Sequence, residues 1–132
     1  MSHEKTRFVH SIKVSEADID ELDHVNNVVY IRWVQEVAEA HWLCVAPPEM
    51  RQRYRWVVLR HEIDYKMPVT FRDNLAGTTW VGMHHGPRFD RYVRLQSPDG
   101  SKVFAEAKTT WCLLDSRNGK PLRIPGDILD VL

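Results

Sequence analysis

One stretch of this chain has the period of a helix, and the stretches around it have the period of strands. Across residues 28–43 the polar side chains Arg32, Gln35, Glu36 and Glu39 fall at i, i+3, i+4 and i+7, a narrow stripe on a 3.6-residue helix. Val29, Ile31, Trp33, Val34, Val37, Ala38, Ala40 and Trp42 take much of the remaining surface. The expected helix is therefore apolar nearly all round and mostly surrounded by protein. Pro47 and Pro48 end it and open a connection over residues 45–55.

From residue 57 the period is two. Val57, Leu59, His61, Ile63 and Tyr65 alternate with Val58, Arg60, Glu62, Asp64 and Lys66, and Pro68 closes or bends that strand. Residues 77–83 and 89–96 read as further strands, and Ser97-Pro98-Asp99-Gly100 as a tight turn. Residues 102–114 follow as a last strand, with Val103, Ala105, Ala107, Thr109, Trp111 and Leu113 on one face, and residues 115–119 supply another turn. With an amino-terminal strand near residues 8–14, the order is strand, long helix, then strands joined by short turns. An antiparallel sheet curled around one long helix satisfies that order, an α+β architecture.

A chain of 132 residues, 43% hydrophobic and without an internal repeat or linker, is expected to form one domain over residues 1–132. That is small for an enclosed active site, and small domains often borrow walls from a partner. Eighteen Lys and Arg balance eighteen Asp and Glu, so no global field favours nucleic acid or an anionic membrane. Residues 1–7 contain no apolar core, and no apolar run approaches the roughly 20 residues that span a bilayer. A soluble, cytoplasmic protein is expected. Cys44 and Cys112 are too few and too scattered for a disulfide framework or a metal cluster. They are expected to be buried small hydrophobes in a reducing compartment, and no metal or other cofactor is called for.

The chemistry concentrates in residues 20–33, Asp-Glu-Leu-Asp-His-Val-Asn-Asn-Val-Val-Tyr-Ile-Arg-Trp. Asp20 and His24 stand in a polar stretch just ahead of the helix, and Asn26 and Asn27 are preferred N-cap types. Helix-start N–H groups lack partners inside the helix, and with the positive end of the dipole they suit the oxyanion formed when a thioester or ester carbonyl is attacked. Each residue also has a plainer reading. Asp20 serves equally as a turn carboxylate, His24 as a hydrogen-bonded structural residue, the asparagines as caps and Tyr30 as core.

The same segment resembles the signature of hotdog-fold acyl thioesterases: an Asp, a few residues, His-Val-Asn-Asn, then a Tyr and a helix. The likeness continues through His61-Glu62-Ile63-Asp64-Tyr65-Lys66-Met67-Pro68-Val69, Asp73-Asn74-Leu75, Asp99-Gly100 and Arg123-Ile124-Pro125. It is strongest to small bacterial acyl-CoA thioesterases related to hydroxybenzoyl-CoA thioesterase, and more distant to plant acyl-carrier-protein thioesterases. The resemblance implies the hotdog fold and a homodimer or homotetramer with active sites at the subunit interface.

It further implies that Asp20 is the catalytic carboxylate, whether the chains are aligned through Arg32-Trp33 or through His-Val-Asn-Asn. Asp20 would deprotonate water or attack the thioester carbon to give a mixed anhydride, with His24 beside it. The Asn27 N–H would polarise the carbonyl, and Val28 and Tyr30 would meet the acyl group. A thiol of pKa near ~8.5 leaves as thiolate with little acid assistance. The implied activity is hydrolysis of a fatty or aromatic acyl-CoA. The alternatives are an acyl-carrier-protein substrate and a non-catalytic acyl-CoA-binding or regulatory module; a hydratase lacks a clear second acid/base residue.

The chain departs from these relatives in three places. Leu22 stands where the plant enzymes have Asn, and residues 57–66 lack their Cys, which disfavours a cysteine-dependent mechanism. Asp23 stands where many relatives have Gly, which bears on the loop conformation. For the phosphates of coenzyme A, the best local cluster is Arg88, Arg91 and Arg94 with His84 and His85. Alternation puts Arg94 opposite Arg91, and solvated strand edges explain the cluster about as well.

Overall fold

A computed structural model describes residues 7–132. Strand β1 (Phe8–Ile12) leads through a single 3-10 turn at Glu16–Asp18 to helix α1 (Asn27–Val45). A short helix α2 (Pro48–Arg53) is followed by β2 (Tyr54–Tyr65), β3 (Leu75–His85), β4 (Arg88–Gln96), β5 (Val103–Asp115) and helix α3 (Gly126–Val131). The five strands form one sheet in the order β1-β3-β4-β5-β2, every neighbouring pair antiparallel. The curved sheet packing on one long helix is as expected. The connection after α1 is itself a helix, because Pro48 sits at the first helical position, where its missing N–H costs nothing. Helix α3 lies in a segment left without an element.

Helix α1 buries one face and leaves another open, a correction to the expectation of a helix mostly surrounded by protein. Tyr30, Trp33, Val34, Val37, Ala38 and His41 are buried, at helical spacing. Arg32, Glu36 and Glu39 are exposed together with two apolar residues, Val28 and Leu43. Where Val37 meets β3 there is room only for Gly77, since a Cβ there would collide with Val37 Cγ2.

Strand β2 also departs from strict alternation. Val58 pairs with Trp111 and Arg60 with Thr110, so Leu59 is an extra residue in a bulge. One extra residue reverses the phase, so Tyr54 and Trp56 turn inward ahead of the bulge and His61 and Ile63 after it. Val57 and Leu59, expected on the face of His61, are exposed instead. Because β2 is an edge strand, this leaves an apolar rim on an unpaired edge. Of the cysteines, Cys112 is buried but Cys44 is exposed, and both are unpaired.

The interior has two apolar clusters with a polar layer between them. The first gathers Tyr30, Trp33, Val34 and Val37 against Leu75, Val93, Leu95 and Phe104. The second gathers Tyr54, Phe89 and Leu113 against Ile124, Ile128 and Leu132, with Trp42 and Trp56 at its side. On β4 the inward residues run Phe89, Arg91, Val93, so a buried arginine separates the clusters. Arg91 Nη1 donates to His41 Nδ1 at 2.9 Å and to Thr79 Oγ1 at 3.0 Å. Arginine only donates, so His41 accepts and its neutral ring carries the proton on Nε2. Burial, then the neighbouring Arg91 charge, lowers the His41 pKa to about 4. In the same layer Gln35 bonds His61 Nε2 at 3.2 Å and His61 Nδ1 bonds Thr109 at 2.8 Å.

Candidate active site

The loop before α1 is closed by backbone hydrogen bonds that aim one carboxylate into a pocket. The Asp20 N–H donates to the His24 carbonyl at 2.8 Å, and the Asp23 N–H donates to the Asp20 carbonyl at 3.1 Å. Asp20 Oδ1 accepts from the N–H groups of Leu22 at 2.9 Å and His24 at 3.3 Å, a local turn of the Asx kind. Its Oδ2 bonds no described residue. One Asp20 oxygen thus builds the turn, and the residue itself lines a pocket.

Asp23 has φ of 61°, in the left-handed region. Aspartate is among the few non-glycine residues that enter that region readily, so the turn keeps the backbone form that a glycine would give it.

Asn26 is the N-cap, and its Oδ1 accepts the Val28 N–H at 3.0 Å. Asn27 is the first helical residue, and its N–H meets no acceptor among the described residues. A free amide at a helix start is what oxyanion stabilisation requires. The two asparagines therefore differ: the side chain of Asn26 caps the helix, and the backbone N–H of Asn27 is left without an acceptor among the described residues.

The loop is tied to α1 by a residue just ahead of the 20–33 segment. Asp18 is 2% exposed; its carboxylate accepts from the Ser15 N–H and from Arg32 Nη2, both at 2.9 Å, and its carbonyl accepts from the Asn26 N–H at 3.0 Å. Burial alone would raise the Asp18 pKa, but the Ser15 backbone bond and the Arg32 guanidinium outweigh it and hold it below the usual carboxylate range. Arg32 at fourteen residues' separation gives no local sequence signal for this pair.

Asp20, His24, Asn27 and Tyr30 line one pocket of about 470 Å³, with Tyr65 and Met67 across from them. Tyr30 is buried; its hydroxyl accepts from the Val69 N–H at 3.0 Å and donates to the Met67 carbonyl at 3.4 Å, which pins the loop after β2. Burial pushes the Tyr30 hydroxyl up, so it stays neutral. The Tyr65 hydroxyl donates to the Asn27 carbonyl at 3.5 Å.

His24 supports Asp20 through its backbone amide, while its ring bonds no described side chain. Val28, 70% exposed, is not among the residues lining the pocket.

The basic cluster is not one cluster. Arg91 is inside the core, Arg94 pairs with Glu106 at 3.4 Å on the outer sheet face, and only His84, His85 and Arg88 are exposed at the β3–β4 hairpin. No group of metal-ligating side chains assembles among the described residues. No helix among them is long and apolar enough to cross a membrane.

Comparison with known proteins adds a family and a fold. The family model of the thioesterase-like superfamily matches residues 14–132. No curated protein matches. Among solved structures, a thioesterase-superfamily protein from Jannaschia is 21% identical, covers 99% of this chain and 94% of its own, and superposes with a TM-score of 0.87. A 1,4-dihydroxy-2-naphthoyl-CoA thioesterase from Synechocystis is 16% identical over 95% of this chain and 94% of its own, TM-score 0.79. A Staphylococcus aureus protein solved in complex with CoA is 15% identical over 94% of this chain and 80% of its own, TM-score 0.80. These likenesses establish the hotdog fold.

Proposed function

Because the chain belongs to the thioesterase-like superfamily, we propose that it hydrolyses an acyl-CoA thioester to the free acid and CoA at the pocket of Asp20. The observation that carries this reading is a single pocket lined by a carboxylate with one oxygen unpartnered among the described residues and, at the adjoining helix start, by an amide with no acceptor among them.

The thioester carbonyl oxygen takes the Asn27 N–H. Asp20 Oδ2 draws a proton from water as the water attacks, or itself attacks to give a mixed anhydride that water then cleaves. In both routes negative charge grows on the carbonyl oxygen, where the N–H and the helix dipole stabilise it before the thiolate departs. His24 and Asn26 position, through the turn and the cap. Tyr30 and Tyr65 offer an apolar wall to a fatty or aromatic acyl group, whereas Val28 lies outside this pocket.

The solved CoA complex of a fold relative supports CoA as carrier. We propose a single-domain homodimer or homotetramer, supported by the exposed Val57 and Leu59 on the unpaired edge of β2 and by the exposed Val28 and Leu43 of α1. A reducing cytoplasmic setting suits the unpaired cysteines.

The deciding experiment follows thiol release from short, long and aromatic acyl-CoAs. Turnover by the wild type that vanishes in Asp20→Asn is the required result. A folded protein that is stabilised by acyl-CoA but releases no thiol would instead be a binding module, and turnover confined to acyl-carrier protein would move the substrate.

A further inference from the structure

A second cavity, of about 290 Å³, lies beside the C-terminal half of α1 and shares no lining residue with the pocket of Asp20. Its size lies just below the range typical of organic-ligand pockets, roughly 300–1,000 Å³, and so limits an occupant to a small molecule. Trp42 of α1, Trp56 of β2, Phe89 of β4 and Trp111 of β5 form much of its wall. Trp42 and Trp56 meet edge-on with ring centroids 5.7 Å apart, and Trp56 and Phe89 lie 6.2 Å apart. Such a wall suits a flat or aliphatic apolar body.

One charged group enters this apolar space. Arg91 lines the cavity and is 6% exposed. Both of its hydrogen bonds use Nη1 and end on neutral partners, His41 and Thr79. Its Nε and Nη2 bond no described residue, yet neither is sealed off as a buried orphan. No described carboxylate forms an ion pair with Arg91. The adjacent Asp90 also lines the cavity, but its carboxylate is engaged elsewhere, accepting from Thr110 at 3.0 Å and meeting Lys108 at 3.8 Å. Glu39 and Arg55 also line the cavity, but both side chains belong to exposed residues.

Burial lowers the Arg91 pKa to about 10, which leaves it charged at neutral pH. A buried charge without an anion is unfavourable. The cavity therefore combines an apolar lining with guanidinium donors that lack acceptors among the described residues.

We propose that this cavity is a second ligand site, taking a small organic carboxylate whose apolar body packs on Trp42, Trp56 and Phe89 and whose carboxylate pairs with Arg91. A carboxylate supplies the missing anion and accepts from the free side of the guanidinium in the geometry arginine favours.

The test uses naphthalene-2-carboxylate and octanoate as probes, with the neutral ketone 2-acetylnaphthalene as control, read by tryptophan fluorescence and thermal shift on the full chain. The acids are expected to quench fluorescence and raise Tm, with naphthalene-2-carboxylate binding at least about tenfold more tightly than the ketone, the factor one charge-assisted hydrogen bond supplies. Arg91→Met should erase that preference, and Ala38→Leu, which fills the cavity and keeps Arg91, should remove binding of both. Asp20→Asn should bind the acids as the wild type does, which separates this site from the candidate active site. Equal binding of acid and ketone, acid binding unchanged in a folded Arg91→Met or Ala38→Leu protein, or no acid bound by the wild type at millimolar concentration overturns the proposal. If Arg91→Met does not fold, the acid–ketone comparison and Ala38→Leu still decide it.

Discussion

Asp20 and His24 hold each other through their backbones: the Asp20 N–H donates to the His24 carbonyl at 2.8 Å, and the His24 N–H returns a bond to Asp20 Oδ1 at 3.3 Å. The carboxylate is therefore fixed by amides rather than by another ionisable side chain. Its orientation does not depend on the protonation state of the imidazole.

Asparagine at position 20 keeps an oxygen that accepts from Leu22 and His24, so the turn survives while the base or nucleophile is lost. Asp20→Asn should reduce thioester hydrolysis by roughly 10²- to 10⁴-fold with thermal stability close to wild type. His24→Ala keeps the backbone bonds and should cost far less. Steady-state thiol release on both variants checks this, and a His24→Ala defect as deep as that of Asp20→Asn would assign the ring a chemical part.

The Asn27 N–H can be deleted without breaking the helix. Proline is favoured at the first helical position, and the preceding Asn26, at φ −63° and ψ 137°, already has the extended backbone that a following proline demands. Asn27→Pro should lose about 10²- to 10³-fold in kcat, the usual loss for one oxyanion donor. Asn27→Ala retains the N–H and should remain within a few-fold of wild type. Similar activity in the two variants would remove the amide from the mechanism.

Asp18 anchors the loop to α1 and should matter for stability more than for chemistry. Its folded-state pKa lies below 3.8, so its contribution is complete above that value and disappears as pH falls through the lower folded-state value. Asp18→Asn should destabilise the protein by about 1–3 kcal/mol at pH 7, as for a lost hydrogen bond to a charged group. The difference should shrink in acid, which urea titrations at neutral and acid pH would reveal. A gap that stays constant down to the lowest pH would contradict the assignment.

His41 makes a separate, earlier contribution to acid sensitivity. The unfolded chain protonates this residue near 6.5, whereas burial and Arg91 delay protonation in the folded protein to about 4. The unfolded state therefore binds more protons in between, and stability should fall as pH drops from 6.5 toward 4. His41→Gln offers an oxygen to Arg91 and does not titrate, so its stability should be flatter over that window. Chemical denaturation at intervals from pH 7 to pH 4 makes the comparison; parallel curves would refute it.

Gly77 sets the distance between α1 and the sheet. Gly77→Ala forces its new Cβ against Val37 Cγ2, and a β-branched side chain has few rotamers with which to yield. The expected loss is about 1–3 kcal/mol, the range for overpacking, and Val37→Ala in the same chain should recover part of it. Additive losses in the double variant would show that the two residues do not share the contact.

Local sequence pattern set the types of the long elements, though not those of the short helices α2 and α3. Periods of 3.6 and 2 describe which faces are apolar, and that is a local property, so the long helix, the strands, the turn at Ser97-Pro98-Asp99-Gly100 and the Asp20 to Tyr30 segment were all legible. Asn26 and Asn27 already marked the helix start, the element order implied an antiparallel sheet around one helix, and the family resemblance implied the hotdog fold. Tertiary structure decided what depends on pairing across the sheet. The bulge at Leu59 is defined only against Thr110 and Trp111 of another strand, and no period within β2 announces it. Arg91 looked like one of several surface cations because alternation gives a face but not which face is covered; packing of His41 and Thr79 around it placed it in the core. Asp18 gives no local sign of its role for the same reason, since its partner Arg32 arrives from the second turn of α1. Charge and hydrophobic period act over a few residues, whereas burial is fixed by neighbours that are distant in sequence.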